Sequence, residues 1–243
     1  QHFINQGFKD HRVFSNYGTI LKNLGQLKEA EKLYQQAIQL KPDFADAHSN
    51  LGNLLRDLSK DQDAQVSLRK AIELNPNHIN AHVNLGLILQ TLGQLKEAEI
   101  LTRKAIELKP DFVDAHYNLG IILRDQGKLE EAEISTRKAI ALKPDFTEAH
   151  SNLGNILIDL GKLEEAEISY RKAIALQPDY AEAYQNLSIL ELLQGHYQSG
   201  LKNYEFRFKT KKAVIPHCTT RIKRLDNEKL QLGEKLLVIT EQG

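Results

Sequence analysis

Six asparagines recur at intervals of 34 residues along this chain of 243 residues. An asparagine inside a helix costs roughly 0.5 kcal/mol relative to alanine, so a recurring one needs an explanation. Its amide offers both a hydrogen-bond donor and an acceptor. A row of such amides along a groove can therefore pair with the backbone of an extended peptide, whatever side chains the peptide carries. The alternative is that each amide satisfies a local backbone group, or persists through repeat duplication. The six are Asn16, Asn50, Asn84, Asn118, Asn152 and Asn186.

Two columns of residues beside these asparagines vary from repeat to repeat. A constant polar row next to variable positions is what backbone recognition with some side-chain selectivity would require. The first column holds Ser49, Val83, Tyr117, Ser151 and Gln185, and the second holds Asn53, Leu87, Ile121, Asn155 and Ile189. The further candidate groove residues are Asn53, Tyr117, Asn155, Arg56 and Arg124.

Acidic residues precede the asparagines by four positions, at Asp46, Asp114, Glu148 and Glu182. They could attract a basic ligand, but a capping role explains them as well, and we favour capping. In "PDFTE" and "PDYAE", Asp145 and Asp179 precede Glu148 and Glu182 by three residues. This spacing predicts an aspartate N-cap with a capping-box partner at the start of each helix.

Four histidines also recur in phase, and they invite a metal or catalytic interpretation. Each one falls in a different repeat, and neighbouring helices pack about 8–10 Å apart. Metal ligands must instead converge about 2 Å from one ion. We therefore expect a repeated packing role for these rings and no metal site. They are His48, His82, His116 and His150.

The remaining composition argues against several classes of function. The sequence contains no nucleophile motif, phosphate-binding loop or dinucleotide fingerprint, so we expect residues 1–209 to hold no catalytic residue and no cofactor. Lys and Arg total 32 and so do Asp and Glu, which argues against a nucleic-acid binder. No apolar run approaches the roughly 18 residues of a membrane-spanning helix. Cys218 is the one cysteine, and no secretory signal is present, so a cytoplasmic location is expected.

The elements that position these residues follow from the spacing of the prolines. Pro42, Pro76, Pro110, Pro144 and Pro178 lie 34 residues apart, and each intervening unit carries two apolar stripes at helical spacing. A polar break separates the two stripes, and in three repeats it begins with a glycine that suits the left-handed end of a helix. Those glycines are Gly93, Gly127 and Gly161. Each unit is therefore predicted to be a helix hairpin that ends at its proline.

A helix hairpin of 34 residues with a Leu-Gly pair, a later alanine and a final proline resembles the tetratricopeptide repeat (TPR). The match runs over residues 11–178 as five repeats, with a weaker sixth at 181–209, and the repeats start near 11, 45, 79, 113, 147 and 181. Residues 1–10 are interpreted as the remnant of an earlier repeat helix. The resemblance implies an all-α, right-handed superhelix that binds a protein or extended peptide along its concave face. The Leu-Gly pairs begin at Leu51, Leu85, Leu119 and Leu153.

The asparagine row and the end of the chain carry a finer resemblance. TPR arrays of the O-GlcNAc transferase family hold a similar asparagine row inside their superhelix. Residues 210–243 look like a linker followed by a first strand, Leu236–Ile239, of an α/β glycosyltransferase domain. This implies a recognition arm truncated before its catalytic domain; the alternative is a stand-alone scaffold or oligomerisation module.

Two features near the ends of the chain have more than one functional interpretation. Residues 202–224 hold eight Lys or Arg and one acid, which is typical of a linker or docking segment, or else of a contact with nucleic acid or another anion. Apolar end faces of a truncated array would also favour self-association through the repeat ends.

Overall fold

The structure, a computed structural model, describes residues 10–206, and all twelve elements in that range are α-helices. This confirms the all-α repeat fold; the predicted strand-forming tail and the N-terminal helix remnant lie outside the described residues. The helices are α1 His11–Asn23, α2 Leu27–Leu40, α3 Ala45–Asp57, α4 Asp61–Leu74, α5 Ile79–Thr91, α6 Leu95–Leu108, α7 Val113–Asp125, α8 Leu129–Leu142, α9 Thr147–Asp159, α10 Leu163–Leu176, α11 Ala181–Leu193 and α12 Tyr197–Tyr204.

The helices pair into six hairpins, and the hairpins stack one after another. Two columns of alanine make the close contacts, because a side chain of one carbon lets neighbouring helices approach each other. All ten of these alanines are completely buried: Ala30, Ala64, Ala98, Ala132, Ala166, Ala37, Ala71, Ala105, Ala139 and Ala173. The core is thus distributed along the stack as several clusters and not as a single central one.

The turn inside each hairpin ends on a left-handed residue. Gly93, Gly127 and Gly161 have φ of 74–75°, as their place in the sequence predicts. The second hairpin has Ser59 at this position, with φ of 57°. The backbone N–H groups of Gly93 and Gln94 then bond the carbonyls of Gln90 and Leu89, so the turn satisfies the open end of α5.

The predicted capping boxes are wrong. Helices α9 and α11 begin one residue after Phe146 and Tyr180, which occupy the N-cap positions without a side-chain cap bond. The reason is a turn that comes first, in which the N–H of Phe146 bonds the carbonyl of Lys143. Asp145 belongs to that turn, one position too early to cap the helix. Glu148 is therefore left without a capping role.

The in-phase histidines have a polar role beyond packing. In each of four repeats, Nε2 lies 2.8–3.0 Å from the carbonyl oxygen of the proline six residues earlier. Because a carbonyl only accepts, Nε2 must carry the proton. The ring thereby ties the first helix of a hairpin to the loop that precedes it. In the described part of the chain, no group of three or more metal-binding side chains converges.

Candidate ligand-binding groove

The first helices of the hairpins line a common groove. The first helices of consecutive hairpins contact each other directly, so their side of the stack is the more tightly curved, concave side. A cavity of about 560 Å³ lies between α3, α5, α7 and the start of α9. Its lining residues are Ser49, Asn50, Asn53, Arg56, Asn80, Val83, Asn84, Leu87, Phe112, Asp114, Tyr117, Asn118, Phe146 and Glu148.

The cavity brings together six of the predicted site residues and leaves out five. Those inside are Asn50, Asn53, Arg56, Asn84, Tyr117 and Asn118. Those outside its lining are Asn16, Asn152, Asn155, Asn186 and Arg124. Sequence reasoning missed Asn80, Phe112 and Phe146 as groove residues. For the two phenylalanines the signal was the residue that follows each Pro-x pair, where Phe44, Phe112, Phe146 and Tyr180 form an aromatic column of the same 34-residue period.

Three amides of the asparagine row bond side chains of neighbouring repeats and not the local backbone. Asn50 donates through Nδ2 to the Ser15 hydroxyl at 3.2 Å. Asn84 accepts from Arg56 at 2.8 Å, and Asn186 donates to Asn155 Oδ1 at 3.1 Å. The bonded amides therefore link successive hairpins along the groove.

Other amides in the groove keep hydrogen-bonding capacity. Asn118 and Asn152 are only 6% and 8% exposed. Within the described range, the Asn152 Nδ2 donor and the Asn53 Oδ1 acceptor are buried without a partner. A buried polar atom without a partner typically costs about 1–3 kcal/mol, and a ligand that supplied the partner would recover part of that cost. By contrast, Asn155 Oδ1 already accepts from the Tyr170 hydroxyl at 2.6 Å. Asn16 is exposed at the N-terminal end of the array.

The two predicted arginines are already engaged. Arg56 donates to Asn84 and, at 3.2 Å, to the Asp57 carboxylate beside it. Arg124 reaches across to the next repeat, where its Nε is 2.6 Å from Asp159 Oδ2. Both therefore stabilise the junction between repeats, and Arg56 also forms one end of the cavity wall.

Aromatic and acidic side chains form the other end of the cavity. The ring centroids of Tyr117 and Phe146 are 4.9 Å apart with the planes tilted by 50°. Burial, together with the negative charges of Glu148 and Glu182, raises the pKa of the Tyr117 hydroxyl to about 12. Tyr117 is therefore a neutral hydrogen-bond donor at physiological pH, in a region of negative potential.

Comparison with known proteins agrees with this repeat architecture. Sequence profiles described as "TPR repeat" match residues 18–59 and 52–93, and "Tetratricopeptide repeat" profiles match 79–112, 113–146 and 147–180. Together the matches run without a gap from residue 18 to residue 180, two thirds of the chain. The chain therefore belongs to the tetratricopeptide repeat family. No curated protein sequence matched it.

Several solved structures are similar to this one. YrrB, described as a TPR protein with an unusual peptide-binding site, is 26% identical with a TM-score of 0.60, and the match covers 74% of this chain and 93% of that chain. PilF of Pseudomonas aeruginosa is 18% identical with a TM-score of 0.72, covering 82% of this chain and 90% of PilF. A thermophilic TPR protein of Thermus thermophilus is 22% identical with a TM-score of 0.62, covering 75% of this chain and 99% of that chain. The last two show a shared fold only.

No helix in the described part of the chain combines the length and apolar character needed to cross a membrane.

Proposed function

We propose that this protein is a scaffold that binds an extended peptide or protein segment along the groove of its first helices. The observation that carries the proposal is the Nδ2 donor of Asn152, which is buried without a partner in the described part of the chain. Asn152 belongs to the same row as Asn118, and Asn118 lines the cavity. A peptide backbone offers a carbonyl and an N–H at each residue, and both would find partners along this row. The peptide-binding site described for YrrB supports the same assignment.

The proposal is tested by removing two amides that hold no hydrogen bond inside the array. A library of random 12-residue peptides is selected on the full chain, and the affinity of an enriched peptide is measured by fluorescence anisotropy. We expect the double variant Asn118→Ala, Asn152→Ala to bind at least about tenfold more weakly, because two backbone contacts are lost. The melting temperature should stay level or rise, since alanine is the better helix former.

Asparagines outside the groove supply the matched control. Asn23 and Asn77 are both exposed, and neither lines the cavity. The double variant Asn23→Ala, Asn77→Ala should bind the selected peptide as well as the unchanged chain does. Equal affinity of the Asn118/Asn152 variant and the unchanged chain would rule out recognition through the asparagine row.

The finer proposal is that this scaffold is the substrate-recognition arm of a glycosyltransferase. It is supported by the resemblance of the asparagine row and of residues 204–243 to proteins of that kind, and a stand-alone scaffold or oligomerisation module in the cytoplasm is the alternative. Reading the source transcript beyond the Gly243 codon separates the two. Several hundred codons with alternating strand and helix patterns favour the arm, whereas an immediate stop codon contradicts it.

Self-association through the ends of the array belongs with the oligomerisation alternative. The first repeat exposes Ile20 and Leu24, and the last exposes Leu193 and Tyr197. Apolar side chains at both ends are compatible with head-to-tail contact between copies. Analytical ultracentrifugation over a range of concentrations tests this, and a monomer at every concentration would contradict it.

A further inference from the structure

One subsite of the groove differs chemically from the rest, and its interpretation rests on the function proposed above. Tyr117 is the one aromatic residue in a column whose other members are Ser15, Ser49, Val83, Ser151 and Gln185. It lines the cavity beside Phe146 and is only partly buried, so its ring is available to a ligand. The asparagine row repeats in every hairpin, but this ring occurs once. A subsite that occurs once can set the register of a bound peptide.

Carboxylates without cationic partners surround this ring. Asp114 and Glu148 line the same cavity, and neither forms an ion pair or hydrogen bond within residues 10–206. Neither caps a helix, because the N-caps are Phe112 and Phe146 and lack side-chain cap bonds. Glu182, one repeat further on, accepts a hydrogen bond from the Tyr180 hydroxyl at 3.0 Å. Arg56 and Arg124 are each paired with an aspartate of the chain, whereas the carboxylates at the acidic end of the cavity have no such cationic partner within residues 10–206.

Two lysines of the chain lie near the same aromatic column. Lys143 Nζ is 4.8 Å from the centroid of the Phe146 ring, and Lys109 Nζ is 5.3 Å from that of Phe112. These phenylalanine rings therefore already interact with ammonium groups of the chain itself, which leaves Tyr117 as the ring for a ligand cation. Three carboxylates, at 114, 148 and 182, still outnumber the two lysines. Burial is the main cause of the raised pKa of Tyr117, and the charges of Glu148 and Glu182 add to it.

We propose that the Tyr117–Glu148 end of the groove binds an arginine side chain of the peptide. The planar guanidinium stacks on the tyrosine ring while its N–H groups bond the Glu148 carboxylate, a combination that a lysine ammonium cannot reproduce. Asn152 lies one helical turn beyond Glu148 on α9, outside the lining of the cavity, and its Nδ2 donor is buried without a partner among the described residues. In this proposal it donates to a backbone carbonyl of the same peptide. The arginine thus fixes which peptide residues meet the asparagine row.

The test uses the random 12-residue library on the full chain, selected in parallel on the unchanged protein and on the variant Glu148→Gln, Tyr117→Leu. We expect arginine to be enriched at one position on the unchanged protein and not on the variant. An enriched peptide is then resynthesised with lysine or with citrulline, the neutral isostere, at that position. Citrulline should weaken binding about tenfold and lysine by a smaller factor. On the variant, arginine and citrulline peptides should bind alike.

Matched control variants and the possible outcomes distinguish a failure of the arginine subsite from a failure of peptide binding in the groove. Glu130→Gln changes an exposed glutamate on α8 that has no ion pair within residues 10–206, and Tyr197→Leu changes an exposed tyrosine at the C-terminal end; neither should alter the arginine preference. Enriched peptides without a preferred arginine would overturn the arginine subsite and leave the groove function standing. An arginine preference that survives in the Glu148/Tyr117 variant would also overturn it. Failure to enrich any peptide would overturn the groove function, and the arginine subsite with it.

Discussion

At the scale of single residues, the most informative side chain is the in-phase histidine. His150 is 9% exposed, and its Nε2 lies 3.0 Å from the Pro144 carbonyl. A ring of similar size would satisfy a purely packing role. The observed bond adds a second role, because it satisfies the carbonyl of Pro144 in the loop between α8 and α9.

Replacing this histidine separates the two roles. We expect His150→Phe to lower the free energy of unfolding by about 1 kcal/mol, because the ring volume is kept while one buried hydrogen bond is lost. Urea titration followed by circular dichroism measures the change. Tyr184→Phe in the same column of the last repeat is the control, since the Tyr184 hydroxyl forms no hydrogen bond within residues 10–206, and it should change little. An unaltered urea midpoint for His150→Phe would indicate that His150 stabilises the fold through packing alone.

Single residues also mark what could be predicted from the sequence and what could not. The left-handed glycines were predictable, because a turn of fixed length between two apolar stripes imposes a local backbone conformation at Gly93 and its counterparts. The capping boxes were not, since the short turn at Lys143–Phe146 shifts the helix start by one residue. Phe146 was missed as a groove residue because its place depends on how one hairpin stacks on the next.

At the scale of helices, ion pairs join each second helix to the repeat that follows. Glu99 on α6 accepts from Arg103 on its own helix at 2.8 Å, and from Lys128 before α8 at 2.8 Å. Partial burial raises the pKa of Glu99, but hydrogen bonds from Lys128, Arg103 and Gln126 outweigh it and lower the pKa to about 2. Glu133 repeats the arrangement one hairpin later with Lys162 and Arg137. The outer helices are thus linked by charge, while the inner helices are linked by amides.

The lowered pKa makes this link dependent on pH. Because the folded pKa lies below the ordinary value of 4.5, the stabilisation is complete above pH 4.5 and is lost as the pH falls toward 2. We expect Glu99→Gln to lower the free energy of unfolding by about 1–2 kcal/mol at pH 7. The difference from the unchanged chain should shrink between pH 4.5 and pH 2.

Glu130→Gln is the control for this measurement, because Glu130 is exposed and forms no ion pair with any residue of the range 10–206. Chemical denaturation at a series of pH values gives both comparisons. A Glu99→Gln penalty that stays constant down to pH 2 would show that charge does not carry the link.

At the scale of the whole molecule, the array separates stability from recognition. The second helices carry charge pairs on the outer side, together with a column of exposed apolar side chains at Val66, Ile100, Ile134 and Ile168. The first helices gather the amides, Tyr117 and the unpaired carboxylates on the inner side. In a stack where each hairpin contacts only its neighbours, the side chains on the inner side can differ from repeat to repeat without altering the packing. Ligand recognition can therefore vary along the groove.

The overall architecture was accessible from the sequence because the repeats have a single period, with recurring turn glycines and prolines that end the second helices. The residues that line the cavity were harder to predict from the sequence. Six predicted residues meet there, whereas Arg124 and Asn155 are engaged between repeats. Periodicity predicts which residues share a column, but only the curvature of the stack decides which part of a column lines a cavity.

The most direct measurement of the central claim is to locate a bound peptide by photo-crosslinking. p-Benzoylphenylalanine is placed at Leu87, which lines the cavity, and separately at Ile100, which is 68% exposed on a second helix. A peptide selected on the full chain should be captured at Leu87 and not at Ile100. Capture at Ile100 without capture at Leu87 would place recognition on the outer side and contradict binding along the groove.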